Sequence, residues 1–369
     1  MQPPLMNAQR IEYVDNVKAI AMLLVLVGHA PGLNPFVMNF IYAFHMPVFF
    51  FVSGMLLTER KLALPLSQFI MAQIRALGIP YLFFFSVSYL YWLPTHRLSA
   101  AELRNGPVAW WEPLLGFLEG NYHAWVINAV LWFFVCLFMT SCIYFLAKRY
   151  FSVKLLAPLF SLLGILFSLF YAGSWPRWPW MLDSTVIALG FYAVGHYARH
   201  YLLSGLSVSR ARAATWAAIL CLILLLGAAL NGKVDLNTLQ FGNLPLVYFV
   251  NSYLGIFALW FACQLLPSKR TLRWIANNTI IIFPTHLLLY SLFTGIGVVL
   301  LGWPHDFKES SWIWTVIFPV LALGLSYPIS LVLIRYCPVL FGSRISNANI
   351  LADGSSKNSQ PRAARGFTR

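Results

Sequence analysis

Charge is what this 369-residue chain has little of: Asp, Glu, Lys and Arg together make up 10% of it, against about 25% in ordinary soluble domains. Acidic residues are scarcest, 11 beside 25 Lys and Arg. A chain so poor in charge cannot coat a water-facing globule, which excludes a soluble globular protein. The five cysteines, Cys136, Cys142, Cys221, Cys263 and Cys337, lie inside apolar runs and form no C-x-x-C pair. Neither a zinc site nor a disulfide framework is therefore expected, and they read as small buried hydrophobes. No internal repeat of the kind that marks inverted-repeat transporters is visible. No cleavable signal peptide is expected either, because Glu12 and Asp15 precede the first apolar run and no small-residue cleavage pattern follows it.

Apolar residues fill the space that charge leaves. They make up 60% of the chain, with aromatics at 17%, enough for on the order of ten helices of about 20 residues. Apolar stretches occur near residues 17–35, 36–57, 69–93, 125–147, 155–171, 181–198, 213–230, 246–266, 277–301 and 312–338. The sequence thus predicts an all-α integral membrane protein, a single bundle of about ten transmembrane helices over residues 1–342. Residues 343–369 read as a disordered basic tail, since they are rich in Ser, Asn and Gly. Trp110 to Glu119 and the Trp175 to Trp180 stretch read as interfacial anchors. A substrate lid remains the alternative for the first.

The net charge of +14 is a topology signal rather than a nucleic-acid footprint, because it sits between spans. With the N-terminus in the cytoplasm, roughly eighteen basic residues fall on that side and roughly five on the other, which predicts both termini inside. No nucleic-acid partner is expected.

Chemistry must come from ionisable groups at membrane depth, where each costs several kcal/mol and needs a compensating role. The first span carries Asp15, Lys18 and His29. Lys18 and His29 are eleven residues apart, so on a helix they differ by about 20° around the axis and by about 16 Å along it. Lys18 could instead snorkel beside Asp15, and His29 could be interfacial. The second span contains FHMPVFFFVSG, with His45, Pro47, Ser53 and Gly54. The proline there is expected to kink the helix, and Gly54 to permit close approach. Arg75 in the third span must snorkel, pair or hold an anion, and His286 follows Pro284 in a late span. Three imidazoles and two cations in a chain this poor in charge predict a shared polar cavity.

The run from Arg10 to His29, followed by HMPVFFFVSG, resembles the integral-membrane acyltransferase family 3, the bacterial membrane O-acyltransferases. That family's first helix carries a basic residue, ten residues and then histidine, a spacing that Lys18 and His29 reproduce. Arg75 before Pro80, the LWFF stretch at Leu131 to Phe134 and the late His286 follow in the family's order. The resemblance spans residues 10–340, and the HMP form looks most like the fucose 4-O-acetylase-like and exopolysaccharide acetyltransferase branch. Two departures stand out. Many members have Arg where this chain has Lys18, and a second Arg where it has Ala72.

The resemblance implies a multi-pass protein of the bacterial inner membrane that moves an acetyl group from cytoplasmic acetyl-CoA to a sugar hydroxyl. Its acceptor would be an exopolysaccharide, O-antigen or lipid-linked oligosaccharide, with glycan-assembly glycosyltransferases as possible partners. No metal is implied. His29 is the candidate catalytic base, its imidazole being suited to operating pH, with Asp15, Lys18, His45, Ser53, Arg75 and His286 as substrate-binding candidates. Lys18 and Arg75 would attract the phosphates of CoA, and Asp15 sits with Lys18 at the donor entrance. Direct transfer and an acetyl-histidine intermediate both remain open. The competing class is a multi-span transporter or exporter of a lipid-linked sugar or anionic solute; a membrane scaffold without chemistry would not need His29 and Arg75.

Overall fold

The computed structural model describes residues 12–96, 107–120, 127–171, 173, 175–203, 208–267 and 269–341. The expected tail, residues 343–369, falls outside them. The described chain is a helical bundle with one small hairpin. Helices α1 (Glu12–Gly28), α2 (Pro35–Tyr42) and α3 (His45–Met55) open it, followed by α4 (Leu66–Thr95) and the short α5 (Glu112–Glu119). Next come α6 (Trp132–Tyr150), α7 (Val153–Phe170), α8 (Leu182–Leu203) and α9 (Arg210–Asn231). Strands β1 (Val234–Asp235) and β2 (Gln240–Phe241) pair antiparallel, with Val234 opposite Phe241. The chain ends in α10 (Pro245–Leu265), α11 (Arg270–Asn277), α12 (Thr279–Gly295) and α13 (Ile313–Tyr336).

Among the described residues, eight helical segments are long and apolar enough to cross a membrane. The two expected spans that fall short are α1 and α8. At 17 residues α1 is short, and α8 carries Asp183, Ser184, Thr185, His196, Arg199 and His200 within its 22. Their polarity has a packing reason. Helix α8 lies against α3, α6 and α7, and α1 against α3, α10, α11 and α12. Both are largely enclosed by protein, so Asp15, Asn16, Asp183, Ser184, Thr185 and His196 are buried against other helices. The peripheral helices are the reverse: α9 exposes Trp216, Ile219, Leu222, Ile223, Leu226 and Leu230.

The expected second span is interrupted. The chain breaks after Tyr42, and α3 restarts at His45. Pro47 is not the cause. It lies in the first turn of α3, where its missing N–H would have had no helical acceptor anyway. The third span is continuous but contains a π-helical turn at Ile74–Gly78 that includes Arg75. Pro80 follows directly and supplies no N–H to the ladder, and turns of this type recur at functional sites. Trp110, Trp111, Leu115 and Leu118 are exposed around α5, whose C-terminus is closed by Gly120 at φ +57°.

Gly54 serves the close approach read from the sequence. A Cβ there would stand 1.9 Å from the carbonyl oxygen of Tyr192, and one at Gly195 would stand 2.0 Å from that of Phe51. Helices α3 and α8 therefore touch backbone to backbone through two reciprocal glycines, which fixes α3 and its His45 against the bundle.

Candidate functional site

Three of the expected residues meet. His29 follows the last turn of α1, His45 opens α3, and His286 lies in the middle of α12. Ring centroids of His29 and His286 are 5.2 Å apart, and those of His29 and His45 are 6.4 Å apart. Tyr42 closes the group, 4.8 Å from His45 and 5.8 Å from His29. His45 and His286 are fully enclosed, and His29 is half-buried.

Each imidazole is oriented by the backbone of its own helix. Nδ1 of His29 lies 2.9 Å from the Val25 carbonyl, Nδ1 of His45 lies 2.9 Å from that of Ile41, and Nδ1 of His286 lies 2.5 Å from that of Phe283. A carbonyl only accepts, so Nδ1 must carry the proton in all three rings. The free lone pair is then on Nε2. For His286 that atom is buried and has no partner among the described residues. The three side chains thus offer one another, and anything between them, basic nitrogens. By contrast His196 is engaged by the Tyr144 hydroxyl, 2.6 Å from its Nδ1.

Helix α12 is held in place by polar ties. Tyr290 donates to the Leu26 carbonyl at 2.8 Å, and Asn128 donates to the Pro284 carbonyl at 2.9 Å and to Ser88 at 3.0 Å. Among the described residues no group of three or more His, Cys, Asp or Glu is arranged to hold a metal ion.

Lys18, Ser53 and Arg75 lie elsewhere. They line a cavity of about 2170 Å³ at the end of the bundle away from His29, together with Lys61, Arg270 and Arg273. Five cations around one cavity suit a polyanionic ligand. Lys61, Arg270 and Arg273 were not singled out by sequence reasoning, because they read as loop charges; α11 packs on α1, and its two arginines line the same cavity as Lys18. The shared polar cavity expected from sequence is therefore two places, a basic cavity and a histidine cluster. Asp15 is in neither: it is buried in α1 and does not line the cavity.

Aromatic rings join the two places. Phe49, Phe133 and Phe283 line the cavity, with ring centroids 5.3 to 6.5 Å apart. Phe283 is also 6.1 Å from His286. One aromatic side chain thus reaches both the cavity and the cluster.

The hairpin after α9 brings in a residue that the sequence reading passed over. Val234, Leu236, Leu239 and Phe241 are buried, so this loop folds inward over the end of the bundle. Asn231 clamps its base by donating to Phe241 O at 2.9 Å and accepting from Leu244 N at 2.8 Å. Arg177 pairs with the buried Asp183 at 2.6 Å and donates to Asn237 O at 2.7 Å. Ser184 donates to Leu236 O at 3.1 Å. Strand β1 packs on α2, which puts Asp235 within electrostatic reach of His29 and Tyr42. Burial pushes its carboxyl above the usual carboxylate range, opposed by the Asn237 N–H, by His29 and by Lys233. The signal in the sequence was the alternation of apolar residues around Asp235, unusual in a solvated loop.

The acyltransferase domain of the acyltransferase 3 family matches residues 11–331, and the chain belongs to that family. No curated protein is similar enough to count as a match.

Proposed function

We propose that this acyltransferase moves an acetyl group from acetyl-CoA to a sugar hydroxyl of an exported or cell-surface glycan. The observation that carries the reading is the pairing of a five-cation cavity with an imidazole cluster in one bundle of this family. Lys18, Lys61, Arg75, Arg270 and Arg273 bind the phosphates of CoA by charge-assisted contacts. The acyl end of the donor points toward Phe49, Phe133 and Phe283. His29 accepts the proton of the acceptor hydroxyl at Nε2 as the new C–O bond forms. The thioester C–S bond breaks, and the proton passes to the departing CoA thiolate. His45, His286 and Ser53 position the substrates.

The basic end faces the cytoplasm in this reading, as the charge bias requires, and α1 and α8 complete ten spans in the inner membrane. Exopolysaccharide, O-antigen and lipid-linked oligosaccharide are the acceptor classes to try, alongside the glycosyltransferases that build them. The test is transfer of labelled acetyl from acetyl-CoA to such a glycan by the purified protein in lipid nanodiscs. Acceptor-dependent release of CoA thiol with label in the glycan supports the reading. Movement of a sugar or anion across proteoliposomes without acyl transfer would replace it with the exporter class.

A further inference from the structure

Each stretch of chain that carries a histidine of the cluster also lines the basic cavity, and a large apolar side chain stands between the two. On α1 Lys18 and Met22 line the cavity, with His29 beyond them; on α3 the order is Ser53, Phe49 and His45, and on α12 it is Thr279, Phe283 and His286. Phe133 of α6 completes the layer. The rings of Phe49, Phe133 and Phe283 form a triangle with centroids 5.9, 5.3 and 6.5 Å apart, the separations of rings in contact. Neighbouring rings brace it. Phe50, fully buried, lies 5.1 Å from Phe133, and the buried Phe134 lies 6.1 Å from Phe283.

No histidine of the cluster lines the cavity, so the open space ends at these rings. Past them room is scarce. His45 is 2% exposed and His286 0%, with the rings of Tyr42 and Tyr290 4.8 and 5.6 Å from them. A group that travels from the cavity to His29 must part the three phenyl rings and then fit among imidazoles and phenols already in contact. An acetyl group brings a carbonyl and one methyl. Each added methylene needs space that a packed site yields only by displacing its side chains. Phosphates and ribose stop at the layer for a different reason, since phenyl rings offer nothing in place of their water.

We propose that Phe49, Phe133 and Phe283 set the length of the transferred acyl group, admitting acetyl and rejecting butyryl and longer chains. The inference deepens the proposed function and rests on its reading of the basic cavity as the entry for an acyl-CoA donor. The rings meet the acyl end of that donor, so they act on donor choice and leave the choice of sugar to other residues.

The test is a donor series of acetyl-, propionyl-, butyryl- and hexanoyl-CoA, offered in nanodiscs with the glycan acceptor, with transfer followed as released CoA thiol. In the wild type kcat/KM should fall by about tenfold or more for each added methylene, the scale on which a packed apolar site discriminates chain length. Phe133→Ala should open the layer and raise the ratio of butyryl to acetyl transfer by about tenfold or more, and Phe49→Ala should do the same from α3. Because the ratio is internal to each variant, a partial loss of folded protein does not move it. Wild-type use of hexanoyl-CoA within about twofold of acetyl-CoA overturns the proposal, and that result needs no variant to fold. An unchanged ratio in both alanine variants overturns it as well. Titration calorimetry with CoA alone separates the two levels. CoA that binds while every chain length is used alike sinks this inference alone, whereas CoA that does not bind, or a protein that transfers no acyl group, sinks the donor reading beneath it.

Discussion

The rings of His29 and His286 lie 5.2 Å apart, and the bond that keeps them so is made by neither. Tyr290, one turn after His286, donates to the carbonyl of Leu26 at 2.8 Å. Leu26 lies in the last turn of α1, where carbonyls lack a helical donor. One hydroxyl therefore closes a helix end and sets the spacing of two imidazoles.

Tyr290→Phe should accordingly act on geometry more than on folding. Losing the bond costs about 0.5–1.5 kcal/mol, seen as a small drop in thermal midpoint. Turnover should fall by about tenfold or more, since small displacements of catalytic groups are expensive. Steady-state kinetics beside a thermal melt check this; a stable variant with wild-type kcat would refute it.

The cations of the cavity should act on the donor. Arg75→Ala, Lys18→Ala and Arg273→Ala are each expected to raise KM for acetyl-CoA while leaving KM for the acceptor unchanged. Rising ionic strength should weaken donor binding in the wild type and less so in these variants. Lys18→Arg should be tolerated. Titration of donor concentration measures all of this, and unchanged donor KM in every alanine variant would remove the phosphate-binding role.

Stability should be most sensitive where α3 meets α8. Gly54→Ala and Gly195→Ala each drive a methyl group into a facing carbonyl at about 2 Å, so the helices must separate, at about 1–3 kcal/mol or more. Gly324→Ala in α13 is the control. A Cβ there meets nothing within 4 Å, and alanine is the better helix former by about 1 kcal/mol. Thermal melts of the three proteins should rank Gly324→Ala at or above wild type and the other two well below.

Asp183→Asn should loosen the hairpin. It leaves Arg177 without its carboxylate in a site where Asp183 is only 1% exposed, and breaking such a pair costs about 3–5 kcal/mol. Protease nicking between Val234 and Phe241, slow in the wild type, should become fast.

Much of this architecture is legible in the sequence because lipid imposes a simple rule on length and hydropathy. The expected stretches coincide with helices, and His29, His45 and His286 are legible as costly polar groups needing a common purpose. Three things are not legible. The polarity of α1 and α8 is excused by neighbours that only the fold supplies. The separation of Lys18 and Arg75 from the histidines depends on aromatic rings of α3, α6 and α12 meeting between them. Asp235 was invisible because its loop folds back into the bundle, held by Arg177, Ser184 and Asn231 from distant segments, and no local pattern records such ties. Even Pro47, which read as a kink, is harmless once α3 begins two residues before it.

The central claim is that His29 is the base. The direct measurement is kcat for acetyl transfer to the glycan by His29→Ala, with His45→Ala and His286→Ala beside it and thermal midpoints recorded for all. The account predicts a loss of about 10²–10⁴-fold for His29→Ala, an unchanged thermal midpoint, and smaller losses for the other two. Near wild-type turnover by His29→Ala, with His45→Ala or His286→Ala inactive, would contradict it.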